Sequence, residues 1–406
     1  MPKSPRTPAR SAGLCEVVVT HALRTPIGKY LGAFTELSAA DLGASVVKEL
    51  LARSQLDPTR IGEVLIGNGR QAGGGPNVAR QISVRAGVPE TVPAWTVNMA
   101  CGSGLKSLTL AVEAIQLGRA DVCVAGGVEN MSGLPFFLPK MRTGYRLGHA
   151  PIVDAMYQDG FVCPIAKMIM GETAEKLAKE LSIARSEQDQ FALDSQRKAG
   201  AAIAAGRFAA ELSPVRIAGK KGEVIVSADE HVRPDATLES LAKLPPVFDA
   251  KTGTVTAGNS SGITDGAAAL LVMRADTAKE LGYAPLATVG ASTQAGVDAR
   301  VMGIGPVPAV RHLEELNGLL VDDYDLVELN EAFAAQVLAC DRELKLPRER
   351  LNVNGGAIAL GHPIGCTGAR IVVTLLHELS RRGGKNGLAT LCISGGMGVA
   401  TAFHRR

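Results

Sequence analysis

Short apolar runs alternate along the chain with longer stretches in which apolar positions recur every three or four residues. The runs "CEVVVTHA" (15–22), "EVLIGN" (63–68), "DVCVAGG" (121–127) and "AALLVM" (268–273) have strand length, whereas "SAADLGASVVKELLARS" (38–54) has the helical period. A second series follows with "ATVGAS" (287–292), "DLVELN" (325–330) and "LATLCISGG" (388–396) as strands. Between them "VPAVRHLEELNG" and "GARIVVTLLHELSRRG" read as helices. This alternation predicts an α/β chain of βαβ units around a parallel sheet.

The two series share a register. "VLIGN" ends at Asn68 as "LVELN" ends at Asn330, and "GSGLKSL" opens a helix as "CTGARIV" does. The interval from Asn68 to Gly104 nearly equals that from Asn330 to Gly368. An internal duplication follows. Residues 132–260 break the pattern with "GLPFFLPKMRTGYRLG", two helix candidates and a polar stretch rich in turn residues. One of those helices is predicted from Ser186, with an S-x-x-D capping start, through Ala205. The segment reads as a loop-rich insertion from the first half, the kind of place where ligands are held.

A chain of 406 residues exceeds the usual single core, so two or three domains are expected. Few aromatics (9 Phe, 5 Tyr and 1 Trp) against 46 glycines suit an α/β protein built on small aliphatic residues. Net charge is +3 and no run of five or more Lys/Arg occurs, which argues against a nucleic-acid partner. No apolar window approaches the length of a membrane span, and the basic, proline-bearing start lacks the apolar core of a secretory signal. The chain is expected to be cytoplasmic, with residues 1–14 a disordered leader rather than a transit peptide. Seven scattered cysteines without a CxxC pair indicate neither a disulfide framework nor a metal site.

Against that background "NMACGSGLK" (98–106) stands out, because Cys101 falls between a predicted strand and a predicted helix. A helix N-terminus stabilises a thiolate, so the position is expected to lower the thiol pKa, and Gly102 and Gly104 let the backbone turn sharply. The corresponding corner of the second half, "GGAIALGHPIGCTGAR", places His362 before the matching helix. A pseudo-twofold pairing of the halves would bring thiol and imidazole together as nucleophile and base. Cys392 in "LCISGGMG" ends a strand before a glycine turn and is a candidate acid/base thiol; its repeat mate Cys123 reads as a core residue. In "LNEAFA", Asn330 and Glu331 sit at a strand end, where an amide can orient a water or donate to an oxyanion, or where the pair simply caps the next helix.

"NMACGSGLKS", "NEAF", "GHPIG" and "CISGGMG", in this order on a duplicated chain, resemble the thiolases from about Cys15 to Phe403, and most closely the acetoacetyl-CoA branch. The resemblance implies a thiolase fold, with two duplicated halves in a layered αβαβα core. The halves would be 15–131 plus 261–284 and 285–406, and the insertion 132–260 would bind coenzyme A. It implies an acyl-CoA C-acyltransferase that condenses two acetyl-CoA to acetoacetyl-CoA, or cleaves 3-ketoacyl-CoA, by a ping-pong route. Cys101 would accept the acyl group, His362 would activate it, and Cys392 would exchange the α-proton. Asn330, through a water, and His362 Nε2–H would form one oxyanion hole.

The second hole would use the backbone N–H groups of Cys101 and Ser394. Ser394 stands where the family pattern has glycine, and a positive φ there would be costly for serine, so a slightly altered hole is expected. Arg233 and Ser240 would contact the nucleotide, Ser261 the pantetheine, and Met170 and Met302 the acyl pocket; Ile169 replaces a histidine frequent before "MG". No metal or redox cofactor is implied, coenzyme A thioesters being substrates, and a homodimer or homotetramer in fatty acid metabolism is expected. Ketoacyl synthases share the helix-end cysteine but lack a counterpart of Cys392. A non-catalytic acyl-CoA-binding protein and a Cys101/His362 hydrolase are further alternatives, separated by whether Cys101 turns over and whether CoA or water accepts the acyl group.

Overall fold

The computed structural model describes residues 13–219 and 222–405, so most of the expected leader lies outside the described residues. A ten-stranded sheet organises the chain. Its main strands are β1 (Val17–Arg24), β2 (Glu63–Gly67), β3 (Ala94–Val97), β4 (Val122–Glu129), β5 (Thr264–Arg274), β6 (Ala287–Gly296), β7 (Leu326–Leu329), β8 (Asn386–Ile393) and β9 (Met397–His404). They run in the order β7-β8-β9-β6-β1-β5-β4-β2-β3. Read outward from the narrow β6–β1 joint, β6-β9-β8-β7 repeats β1-β5-β4-β2, which is the duplication in spatial form.

The sheet is mixed, not parallel as the alternation predicts. β2 pairs in parallel with β3 and β4, and β7 with β8, but the five pairings from β4 through β5, β1, β6 and β9 to β8 are antiparallel. The reason is the connection: β9 follows β8 after a three-residue turn, too short for the crossover that a parallel neighbour needs. β5 returns after the insertion.

The helices that matter for the site are α1 (Ala39–Ser54), α2 (Val78–Arg85), α3 (Ser103–Gln116), α4 (Met170–Glu180), α5 (Arg185–Ala204), α6 (Pro306–Asn317), α7 (Ala334–Leu344) and α8 (Ile364–Arg382). Alternate residues of the strands feed different layers, as their period of two requires. Leu391, Ile393 and Val399 join Leu105, Leu108 and Ile371 in a central cluster around α3 and α8, whereas Leu388, Ala400 and Ala402 face α6 and α7 on the other side. Val122, Val124 and Val128 turn toward α1 and α2. The result is five layers, with α3 and α8 between the two halves of the sheet. α8 is buried along nearly its whole length because it has no solvent face there, and its polar members, Arg370 and Glu378 among them, are buried too.

α5 begins at Arg185, not Ser186, because the free N–H of Ala184 is satisfied by Glu187 Oε2 at 2.8 Å. α1 matches its expected range and is capped reciprocally by Ser38 and Asp41. Among the described residues no helix is long and apolar enough to cross a membrane.

The repeat-mate glycines set how closely the two central helices approach. A Cβ on Gly104 would lie 2.6 Å from Ala369 N, and one on Gly368 would lie 2.4 Å from Leu105 N. Gly368→Ala gains about 1 kcal/mol of helix propensity but must push two packed backbones apart, at about 1–3 kcal/mol or more. A lower denaturant midpoint is therefore expected, and an unchanged midpoint would show that this contact does not constrain the pair.

Candidate active site

The central helix pair delivers both N-termini to one place. α3 starts two residues after Cys101, and α8 two residues after His362. The corner before α3 is tight: Ala100 adopts φ +46°, and the Ser103 hydroxyl donates to Ala100 O (2.6 Å) while accepting from Met99 N (2.8 Å). A non-glycine residue in this region is strained, and such strain persists only where the surroundings enforce it. Gly102 permits the contact that enforces it, since a Cβ there would lie 2.7 Å from Ile393 at the end of β8. Cys101 is thereby held against the β8–β9 turn.

Two carboxylates brace the corners from behind. Glu129, at the end of β4, accepts from Asn68 Nδ2 (2.7 Å), Gly69 N (3.0 Å), Arg70 N (3.1 Å) and Gly365 N (2.8 Å), joining the loop after β2 to the first turn of α8. Burial pushes it up to about 7. Glu331 accepts from Ser195 Oγ (2.6 Å), Asn352 Nδ2 (2.9 Å) and Ile358 N (3.2 Å), so it supports the loop leading to His362 and does not cap α7.

His362 is buried and its tautomer is legible. The Thr367 hydroxyl donates to Pro363 O (3.0 Å), so it accepts from His362 Nδ1–H at 2.6 Å. Nε2 is left as an acceptor facing Asn330 Nδ2 at 3.5 Å. Burial, with Arg370 and Arg70 adding repulsion, pushes the imidazolium down to about 3. The ring is a neutral base throughout the physiological range, and the Nε2–H that the sequence resemblance implies arises only when Nε2 takes a proton. The rate of acyl-enzyme formation should therefore show no inflection near the ordinary histidine value of about 6.5 when kcat/KM is followed from acid to neutral pH; an inflection there would contradict this environment.

The thiols differ from expectation. Burial raises Cys101 above its ordinary value despite the helix end, because desolvation of the sulfur outweighs the opposing effects of Arg70 and of the Ser394 and Cys101 backbone N–H groups directed at it. At rest it is a neutral thiol and needs a base. Cys392 lies wholly inside, packed with Met302 and Ala332, and burial together with the neighbouring Cys101 and Cys340 raises its thiol far above the usual range. It is therefore a neutral thiol close to Cys101. Ser394 avoids the feared strain: the positive φ angles fall on Gly395 (+90°) and Gly396 (+87°).

A cavity of about 600 Å³ opens over this cluster. Cys101, His362 and Ser394 line it together with Met170, Met302, Ser261, Ile169 and Arg233. Asn330 and Cys392 are buried behind that lining, and Asn330 Oδ1 accepts from no donor among the described residues. Ser240 is apart from it, exposed on the helical turn Leu238–Ala242, where its hydroxyl and N–H pair with Thr237. Phe248, Phe333, Tyr157 and Phe161 are walls that motif reading missed. Phe333 was within reach, lying inside "NEAFA"; Phe248 and the aromatic pair sit in the insertion, where no periodicity marks them. Among the described residues no group of His, Cys, Asp and Glu is arranged to hold a metal ion.

Models of the thiolase N-terminal domain and the thiolase C-terminal domain match residues 17–276 and 283–405. The chain belongs to the thiolase family. An acetyl-CoA acetyltransferase of Cupriavidus necator is 51% identical over 97% of this chain and 100% of its own length. The crystal structure of the Bacillus anthracis acetyl-CoA acetyltransferase superposes with a TM-score of 0.94 at 45% identity, covering 97% of this chain and 100% of that one. Human mitochondrial 3-ketoacyl-CoA thiolase in complex with CoA gives a TM-score of 0.92 at 41% identity over 97% and 98% of the two chains.

Proposed function

We propose that this thiolase is an acetyl-CoA acetyltransferase and 3-ketoacyl-CoA thiolase that works through an acyl-Cys101 intermediate. The observation that carries the reading is the convergence of a thiol, an imidazole with Nε2 free as acceptor, and two backbone N–H groups on one cavity. In cleavage, Cys101 Sγ attacks the 3-keto carbon as its proton passes to His362 Nε2. The resulting oxyanion faces the N–H groups of Cys101 and Ser394. The C2–C3 bond breaks, its electron pair is delocalised onto the thioester oxygen, and Cys392 S–H supplies the proton that completes acetyl-CoA. His362 Nε2–H, with a water held by the unpartnered Asn330 Oδ1, stabilises that thioester oxygen. Free CoA then gives its proton to the Cys392 thiolate and attacks the acyl group; Cys101 leaves and recovers its proton from His362. Condensation is the reverse.

The insertion, roughly 132–260, supplies the CoA side of the cavity, with Arg233 at its mouth, Ser261 beside the pantetheine and Phe248 as an apolar wall. Ser240 reaches the nucleotide only if its capping bonds to Thr237 open. A cytoplasmic homodimer or homotetramer that needs no metal or redox cofactor completes the reading. Steady-state thiolysis of acetoacetyl-CoA and of longer 3-ketoacyl-CoAs with free CoA tests it. CoA-dependent loss of the 3-ketoacyl thioester is expected, and CoA-independent hydrolysis would establish a hydrolase instead.

A further inference from the structure

Arg70 lies two residues beyond Asn68 and lines the cavity that holds Cys101 and His362. It is 7% exposed, and its buried charge has an unusual set of partners. Nη1 donates to Gly69 O (3.2 Å) and Nη2 to Gly160 O (3.0 Å), both neutral carbonyls, while Nε has no acceptor among the described residues. The other deeply buried arginine of this half, Arg24, is instead paired directly with Glu211 and Asp229. A direct ion pair within 4 Å is not found for Arg70 among the described residues, and buried guanidinium groups are ordinarily paired. Glu129 is the carboxylate that acts on it, but four N–H donors already occupy the Glu129 oxygens.

The slot is built around this side chain. A Cβ on Gly160 would lie 2.5 Å from Arg70 Nε, so the segment Tyr157–Phe161 passes the guanidinium with bare backbone. A short relay fixes the guanidinium relative to the nucleophile: Gly69 O also accepts from Asn98 Nδ2 (3.3 Å), and Asn98 Oδ1 accepts from Ala100 N (3.0 Å), the residue before Cys101.

Building on the assignment of Cys101 as nucleophile, we propose that Arg70 is a positioning residue for acyl transfer, a fixed positive charge without a direct carboxylate partner that compensates negative charge on the Cys101 sulfur. The groups facing that sulfur are Arg70, Glu129, His362, Cys392 and the N–H groups of Cys101 and Ser394. Of the ionic ones, Arg70 favours the thiolate and Glu129 opposes it, with Arg70 the stronger. The same charge works against an imidazolium at His362, which keeps Nε2 free to receive the thiol proton.

The test is the pH dependence of Cys101 alkylation by iodoacetamide, read by peptide mass in the wild-type protein, Arg70→Lys and Arg70→Gln, with Tm as the check on folding. Arg70→Gln should move the midpoint up by about one pH unit or more, making alkylation about tenfold slower at neutral pH, while Arg70→Lys stays near wild type. If Arg70→Gln does not fold, Arg70→Met carries the same expectation. Superimposable profiles, or equal slowing in the Lys and Gln variants with an unmoved midpoint, would overturn the proposal and leave Arg70 a packing residue. Acylation of a residue other than Cys101 by acetoacetyl-CoA would instead overturn the nucleophile assignment beneath it.

Discussion

Cys101→Ser lowers turnover of acetoacetyl-CoA by about four orders of magnitude or more and leaves no acyl-enzyme detectable by mass. The size follows from the base. His362 has its imidazolium pushed down to about 3 and faces a thiol raised above its ordinary value, so complete proton transfer before attack is already unfavourable. The thiol reacts because sulfur is strongly nucleophilic and its proton can leave as the new bond forms. A hydroxyl is a far weaker acid and nucleophile in the same desolvated site. Single-turnover acylation with both proteins measures the ratio; retention of even a tenth of the wild-type rate in the serine variant would remove Cys101 from the mechanism.

Cys392→Ala has the second large effect, and a selective one. The thiol lies behind the Met302 and Ala332 wall, and the proposed mechanism has it exchange a proton with carbon. Loss of a positioned acid or base costs about 10²–10⁴ in rate, so carbon–carbon cleavage and condensation should fall by about a thousandfold. Transfer of an acetyl group from acetyl-CoA to Cys101 moves no proton at carbon; there Cys392 only returns a proton to the departing CoA thiolate, a far better leaving group than a carbanion, so this step should fall much less than cleavage. Exchange of labelled CoA into acetyl-CoA reads that half-reaction. Equal loss of exchange and cleavage would contradict a specific role for Cys392 at carbon.

Much of this site was legible in the sequence because chemistry was placed at punctuation. Cys101 and His362 stand at strand-to-helix corners marked by glycine and proline, and the repeat register from Asn68 to Gly104 and from Asn330 to Gly368 showed that the two corners correspond. The sheet was less legible. Period-two and buried apolar runs identify strands but not their direction, and the antiparallel centre is set by the Ser394–Gly396 turn and by the long return to β5. The electrostatics were not legible at all. A helix end next to Cys101 argues for a lowered thiol pKa, but how completely the sulfur is desolvated depends on Ile364, Met131 and Met156 packed around it from distant segments. The bracing by Glu129 and the Thr367 contact that selects the His362 tautomer are likewise products of packing. Ser394 shows the converse: a departure from the family pattern that looks strained in sequence carries no positive-φ strain, because Gly395 and Gly396 take the positive angles.

The central claim is that Cys101 carries the acyl group between two CoA thiols. Intact and peptide mass after mixing the wild-type protein with acetoacetyl-CoA, followed by a chase with free CoA, measures it directly. An acetyl group on the Cys101 peptide that disappears on the chase, with acetyl-CoA formed, is the predicted result. No adduct with acetoacetyl-CoA or any longer 3-ketoacyl-CoA, or an adduct that water but not CoA removes, would contradict it.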